Sequence, residues 1–189
     1  MQMFQEALII IIILLTIYLV FGSKRKYETF ESKLQMNELK RRNRILVDYV
    51  FNKFRDDPKW GKRVIFLKKN YNENELYEHF PTPHSATTSY TESKGKKMVF
   101  CLRDKEFKNG RYRYPLESMN TIMYCSVHEL AHIMQYDDYG HKPSFYSIFK
   151  WLLGQAVELG LYTKQDYNAK PTYYCGMKLE HQVLDDDRF

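Results

Sequence analysis

The sequence is poor in cysteine, glycine and proline, and it contains no Asn-x-Ser/Thr sequon. Three cysteines cannot all pair with one another, so a small secreted scaffold held together by disulfides is not expected. Eight glycines and six prolines exclude a collagen-like or low-complexity chain. The missing sequon and the few cysteines together favour a chain that folds on the reducing side of a membrane.

Apolar and aromatic residues, in contrast, are plentiful. Hydrophobic residues make up 44% of the sequence and aromatic residues 16%, which excludes a disordered chain and predicts a substantial core. A length of 189 residues is sufficient for one compact domain and short for two. The composition therefore predicts a single globular domain.

An apolar run lies close to the N-terminus. Residues 7–21 read ALIIIIILLTIYLVF, and the wider segment 4–22 approaches the ~20 residues that cross a hydrocarbon core. The flank before it lacks Lys and Arg, whereas Lys24, Arg25 and Lys26 follow it, and these flanks are the reverse of those of a cleaved signal peptide. The pattern predicts a single-pass transmembrane helix, with the N-terminus outside and the catalytic domain cytosolic, or on the interior side of a virion membrane.

Positive charge is concentrated immediately after this run. Residues 23–69 hold fifteen Lys and Arg against six Asp and Glu. We interpret residues 23–60 as a basic, juxtamembrane helical region, in which Lys24, Arg25 and Lys26 can attract anionic lipid headgroups at about 1 kcal/mol each. A solvated helix face explains the same charges equally well, and a nucleic-acid partner for the stretch from Lys24 to Arg44 is the third alternative.

Residue periodicity predicts an α+β fold. Asn109 and Gly110 form a turn signal, and residues 71–93, which are polar and contain two prolines, are expected to form a long irregular connection. The predicted helices cover residues 34–54, 117–135 and 143–159, and the predicted strands cover residues 63–67 and 98–102.

The helix predicted over residues 117–135 contains a motif of metal-binding and catalytic residue types. His128 and His132 are four residues apart, so their imidazoles share one helix face and can reach one zinc ion. Glu129 stands beside the first ligand, where a carboxylate can act as general base toward a zinc-activated water. The spacing therefore predicts the centre of a zinc hydrolase.

A catalytic zinc usually has three protein ligands and an open position. His141 is the leading third ligand, because it follows the helix end and Gly140 can turn the chain back. Glu158 on the next helix is the alternative, and it would create a centre of two histidines and one carboxylate. The remaining histidines are expected to be solvated, namely His79, His84 and His181. Cys101 and Cys175 are expected to be buried packing residues and not zinc ligands.

Four segments resemble the WLM domain of zinc peptidases, which are relatives of the SprT/Spartan group. They are CLRD at 101–104, HELAH at 128–132, GHKPSFYSIFKWLL from residue 140 and YCGM at 174–177. The resemblance implies a zincin-like fold over residues 61–189, one zinc ion bound by His128, His132 and His141, and Glu129 as the catalytic acid/base. It is closest to short membrane-anchored forms in large DNA viruses. The better-known members cleave proteins crosslinked to DNA.

These observations predict a membrane-anchored zinc metallopeptidase that hydrolyses a protein or peptide substrate. An additional donor to the oxyanion is expected, and Tyr139 and Tyr174 are both candidates. The principal alternative is a membrane-anchored structural protein, such as a virion component, that retains the zinc-binding fold without turnover. A membrane-tethered nucleic-acid binder is the remaining alternative.

Overall fold

The structure, a computed structural model, describes the backbone of residues 2–84 and 87–189, and the side chains of residues 9–16, 30–84 and 87–189. Its elements form an α+β fold, as expected from the sequence. The helices are α1 (Gln2–Phe54), α2 (Gly61–Asn70), α3 (Met119–Met134) and α4 (Pro143–Glu158). The strands are β1 (Leu76–His79), β2 (Tyr90–Glu92), β3 (Lys97–Cys101), β4 (Glu106–Lys108), β5 (Arg111–Arg113), β6 (Thr172–Tyr174) and β7 (Met177–Leu179).

The chain divides into two compact units, one ending at Gln35 and the other comprising Met36–Phe189. The second unit contains the last part of α1, where Leu39, Leu46 and Val50 are fully buried. These residues belong to the apolar helix face predicted over residues 34–54. The same unit contains the sheet and the other three helices, so its boundary lies at residue 36, whereas the sequence analysis began the catalytic domain at residue 61.

The prediction of a transmembrane helix over residues 4–22 is wrong. No helix in the described part of the chain is both long and apolar enough to cross a membrane. Within that segment, the side chains of residues 4–8 and 17–22 lie outside the described residues. The side chains of Lys24, Arg25 and Lys26 lie outside the described residues. The single-pass localisation inferred from this helix is therefore also wrong.

The prediction of a strand over residues 63–67 is wrong as well, because this segment is part of α2. Val64 and Leu67 are fully buried while Ile65 is exposed, and this spacing of three is that of one helix face, not of a pleated strand. The helix begins at Gly61, where a Cβ atom would lie 2.5 Å from the backbone oxygen of Arg55. Close approach of the preceding chain therefore requires a glycine at this point.

The main sheet has the order β1-β3-β2, with β1 parallel and β2 antiparallel to β3. The predicted strand at 98–102 is confirmed to within one residue as β3. β1 and β2 lie within residues 71–93, which were expected to be irregular. Both strands are short, and they are stabilised by pairing with β3, so the sequence around each of them carries little signal. β2 is an edge strand of this sheet.

The two helices predicted in the C-terminal half are confirmed as α3 and α4. The Ser118 side chain accepts a hydrogen bond from the Thr121 N–H at the start of α3, and Pro143 occupies the first turn of α4. α3 packs against α2, α4, β2 and β3. It is the central helix of the second unit.

Two hairpins complete the fold. β4 and β5 are joined at Asn109 and Gly110, both with positive φ, as the turn signal predicts. β6 and β7 are joined at Cys175, which forms a disulfide with Cys101 across a sequence separation of 74. Both cysteines are buried, as predicted, but the sequence analysis did not anticipate the disulfide, because the fold and not the local sequence brings them together. Disulfides persist mainly in oxidising environments, so the cysteine-based argument for a reducing compartment no longer holds.

We expect replacement of both Cys101 and Cys175 by serine to lower the free energy of unfolding by about 4 kcal/mol, because the unfolded chain regains the entropy of a long closed loop. Denaturant titration of the full chain, monitored by circular dichroism, measures this difference. Reducing agent should destabilise the wild-type protein by a similar amount and leave the double variant unchanged. Equal stabilities of the oxidised wild type and the variant would contradict the prediction.

Candidate metal centre

Three histidines meet at the C-terminal end of α3. His128 and His132 lie one turn apart on this helix, and His141 lies in the segment between α3 and α4. The Nε2 atom of His141 is 3.0 Å from Nε2 of His128 and 3.1 Å from Nε2 of His132. One ligand atom from each of the three residues lies within 4.8 Å of the others. The structure thus brings together the two helix histidines and the leading candidate for the third ligand.

The chain returns to α3 because of a turn after the helix. Gly140 has a φ of +77°, a left-handed conformation that glycine adopts without a steric penalty, and His141 follows it. Phe145 in the first turn of α4 is fully buried and contacts all three imidazoles. Its ring stacks on His132 with centroids 4.3 Å apart, and its edge contacts with the other two have centroids 4.8 and 4.9 Å apart.

The histidines are held in their neutral forms. Burial lowers the pKa of His128 to about 3 and that of His132 to about 4, with the neighbouring imidazoles contributing to both shifts. Burial also lowers the pKa of His141. Near neutral pH the cluster therefore presents uncharged imidazoles, which is the form that binds metal ions.

The donor set fits a zinc ion. Nε2 of a neutral imidazole has either one proton or one lone pair, so His141 cannot make well-directed hydrogen bonds to both neighbours through this single atom. A central cation can accept a lone pair from all three nitrogens. Zn–N bonds of 2.0–2.1 Å in a tetrahedral site give nitrogen–nitrogen separations of about 3.3 Å, close to the two distances observed here. Three imidazoles are a typical ligand set for zinc.

Glu129 is buried beside this cluster. Its side chain is on α3, only 5% exposed, and it lines a cleft of about 330 Å³ together with the three histidines. Burial raises its pKa to about 7, and this rise is partly opposed by the Thr91 side chain. A carboxyl group with such a pKa can exchange protons at neutral pH.

Glu158, the alternative third ligand, lies elsewhere. Its Oε1 atom accepts a hydrogen bond of 2.6 Å from the Tyr49 hydroxyl and one of 2.9 Å from Lys53 Nζ, both on α1. Among the described residues, the ligand cluster consists of the three histidines and does not include this carboxylate. The geometry therefore favours His141 over Glu158.

The two tyrosines considered as oxyanion donors differ in position. Tyr174 is 1% exposed, and its hydroxyl forms a hydrogen bond with the Ser89 hydroxyl. Tyr139 is 75% exposed and lines the metal cleft. Of the two, Tyr139 is therefore the one that a substrate in the cleft can reach.

Lys94 is a further residue of the site that the sequence analysis missed. Its Nζ atom donates hydrogen bonds of 3.2, 2.5 and 2.8 Å to the backbone oxygens of His132, Gln135 and Asp138. A cation at the C-terminal end of a helix also interacts favourably with the helix dipole. Lys94 thereby connects the turn between β2 and β3 to the end of α3 and to the segment that leads to His141. Nothing in the local sequence indicates this role, because its partners are about 40 residues away.

We expect His141→Ala to weaken zinc binding by at least a hundredfold, because removal of one of three ligands leaves the ion under-coordinated. Isothermal titration of the chelator-treated chain with zinc measures the effect. Glu158→Ala is the matched control and should bind zinc as the wild type does. Loss of zinc from the Glu158 variant, with binding retained by the His141 variant, would contradict the assignment.

Lys94→Met should reduce the free energy of unfolding of the metal-free chain by about 2 kcal/mol, since hydrogen bonds from a charged donor are each worth roughly 1.5–3 kcal/mol. It should also weaken zinc binding, because the segment before His141 loses an anchor. Lys97→Met is the control, since that lysine makes an exposed ion pair with Glu92, a type of contact worth little. Indistinguishable denaturation curves for the two variants would rule out the anchoring role.

Comparison with known proteins identifies viral relatives. The chain is 30% identical over 140 residues to the uncharacterized protein R325 of Acanthamoeba polyphaga mimivirus, a match that covers 74% of this chain and 66% of that protein. It is 38% identical over 68 residues to the uncharacterized protein 136R of Invertebrate iridescent virus 6, covering 35% of each. No protein-family profile and no solved structure matches the chain. These similarities relate the chain to viral proteins and assign no activity to it.

Proposed function

We propose that this protein is a zinc-dependent metallopeptidase. The observation that carries the proposal is the convergence of three neutral imidazoles beside a buried carboxyl group, Glu129, in a cleft open to solvent. In this proposal His128, His132 and His141 hold one zinc ion per chain. The resemblance of the HELAH helix and of the segment after it to WLM-type peptidases supports the same interpretation.

Each residue of the site has a defined task in peptide hydrolysis. A zinc ion supplies Lewis-acid activation of water and of the substrate carbonyl when it is bound. A carboxylate oxygen of Glu129 removes the proton of the attacking water and then delivers it to the leaving amine, and a pKa near 7 suits both transfers. The Tyr139 hydroxyl can donate a hydrogen bond to the oxyanion.

The cleft also suits an extended polypeptide. Tyr90 and Thr91 of β2 line it, and β2 is an edge strand of its sheet. An edge strand has backbone N–H and C=O groups that can pair with an added strand. A peptide bound along β2 would pass the histidines, with its side chains alternating toward and away from α3. This arrangement supports a protein or peptide substrate.

A purely structural zinc site is the alternative function. Structural zinc sites are usually closed by a fourth protein ligand, whereas catalytic sites keep a position open. In the described part of the chain, the cluster contains three ligands and no fourth. A structural site also has no need of Glu129, whose burial costs free energy. Both observations favour the enzyme.

The proposal is tested by Glu129→Gln. We expect this variant to bind one equivalent of zinc, as the wild type does, and to hydrolyse fluorescently labelled casein at least a hundredfold more slowly, because general base catalysis typically contributes 10²–10⁴-fold. Glu106→Gln, in the exposed strand β4, is the matched control and should retain full activity. Zinc-loaded wild-type protein that hydrolyses no peptide, or a Glu129 variant as active as the control, would contradict the proposal.

A further inference from the structure

A second pocket, of about 250 Å³, adjoins the metal cleft. Ser89 and His128 line both spaces, so a metal ligand forms part of its wall. Its other lining residues include Tyr124 on α3, Tyr146 and Phe149 on α4, Tyr174 on β6, and Met177 and Leu179 on β7. We refer to this space as the aromatic pocket.

The walls of the aromatic pocket are fixed by contacts with one another and with neighbouring elements. The Tyr124 ring meets the Phe149 ring with centroids 5.1 Å apart, and both side chains are buried. The β6–β7 hairpin is attached to the end of β3 by the Cys101–Cys175 disulfide. The Gly176 N–H also donates a hydrogen bond of 3.0 Å to Asp104 Oδ1. The pocket is therefore preorganised, which reduces the entropic cost of binding.

Several polar groups around the aromatic pocket have partners within the protein. The Tyr124 hydroxyl donates a hydrogen bond to the backbone oxygen of His181, and the Tyr174 hydroxyl is bonded to Ser89. At the mouth of the pocket, Lys178 and Glu180 form an ion pair of 2.7 Å, and His181 Nε2 is 2.9 Å from Asp186 Oδ2. These groups therefore present no unpaired charge to a ligand.

We infer that the aromatic pocket binds the side chain of the substrate residue beside the scissile bond and selects large apolar side chains, an inference that rests on the proposed peptidase function. The wall shared with His128 places the pocket next to the reacting centre. Its volume is below the 300–1,000 Å³ of pockets for drug-sized ligands and suits a single side chain. A charged side chain would lose its hydration there without gaining a partner.

The inference predicts a measurable preference. Burial of a Leu, Met or Phe side chain in place of Ala should improve binding and cleavage by about 10- to 100-fold. The preference should appear at one of the two positions flanking the cleaved bond. Mass spectrometry of a peptide library digested by the zinc-loaded full chain measures it, with large apolar residues enriched at that position over Asp, Lys and Gly.

Binding provides a second readout that does not depend on turnover. A labelled peptide of the best-cleaved sequence, and the same peptide with Ala at the selected position, are titrated into the zinc-loaded Glu129→Gln protein. Fluorescence polarisation should give a Kd about 10- to 100-fold higher for the Ala peptide. Equal affinities of the two peptides would overturn the inference.

Variants of the β6–β7 hairpin test whether the aromatic pocket causes the preference for large apolar residues. Met177→Glu places a carboxylate in the wall and should reduce cleavage at large apolar residues by tenfold or more, while cleavage at Lys increases. Tyr173→Glu is the matched control, because that residue is exposed on the adjacent strand β6 and does not line the pocket. Its cleavage pattern should be that of the wild type.

The outcomes separate the two proposals. Hydrolysis by the wild type with no preference at either flanking position, or identical patterns for Met177→Glu and Tyr173→Glu, would overturn the assignment of the pocket and leave the peptidase function standing. Absence of hydrolysis by zinc-loaded wild type would overturn the proposed function and this inference with it.

Discussion

α3 is enclosed on nearly every side, and twelve of its sixteen residues are buried between α2, α4 and the sheet. Any polar group on such a helix must be compensated within the protein or change its protonation state. Ser126 is compensated by a hydrogen bond to Asn43 of α1. Glu129 instead acquires a raised pKa, and His128 and His132 acquire lowered ones. The chemistry of the site thus follows from the burial of the helix that carries it.

Sequence reasoning succeeded where the signal is local. Residue periodicity located α3 and α4, the Asn-Gly pair located the turn of the β4–β5 hairpin, and the four-residue spacing of His128 and His132 located the cluster. It failed where the fold supplies the information. β1 and β2 depend on pairing with β3, the Cys101–Cys175 pair is distant in sequence, and Lys94 binds carbonyls about 40 residues away. The apolar residues of α2 have the composition of a strand, which explains the wrong prediction over residues 63–67. The segment is helical because this conformation buries Val64 and Leu67 on one face.

Three arginines in the described part of α1 make contacts within the protein. Arg41 and Arg42 pair with Glu38, and Arg44 pairs with Glu73. Arg42 also donates a hydrogen bond to the backbone oxygen of Leu161. The Arg44 ion pair and the Arg42 hydrogen bond attach α1 to residues outside the helix, whereas the pairs with Glu38 lie within it. These contacts lend no support to the nucleic-acid alternative, whereas the open histidine cluster supports the metallopeptidase.

Phe145 contacts all three imidazoles from the first turn of α4. In the proposed zinc site, occupancy by the metal and the position of this turn would therefore be linked, and linkage between two equilibria is reciprocal. A ligand or crystal contact that immobilises the start of α4 would raise the affinity for zinc, and zinc would in turn slow hydrogen exchange of the backbone amides there. Through this ring, zinc binding at the proposed site would also affect the wall of the neighbouring pocket, which α4 also forms.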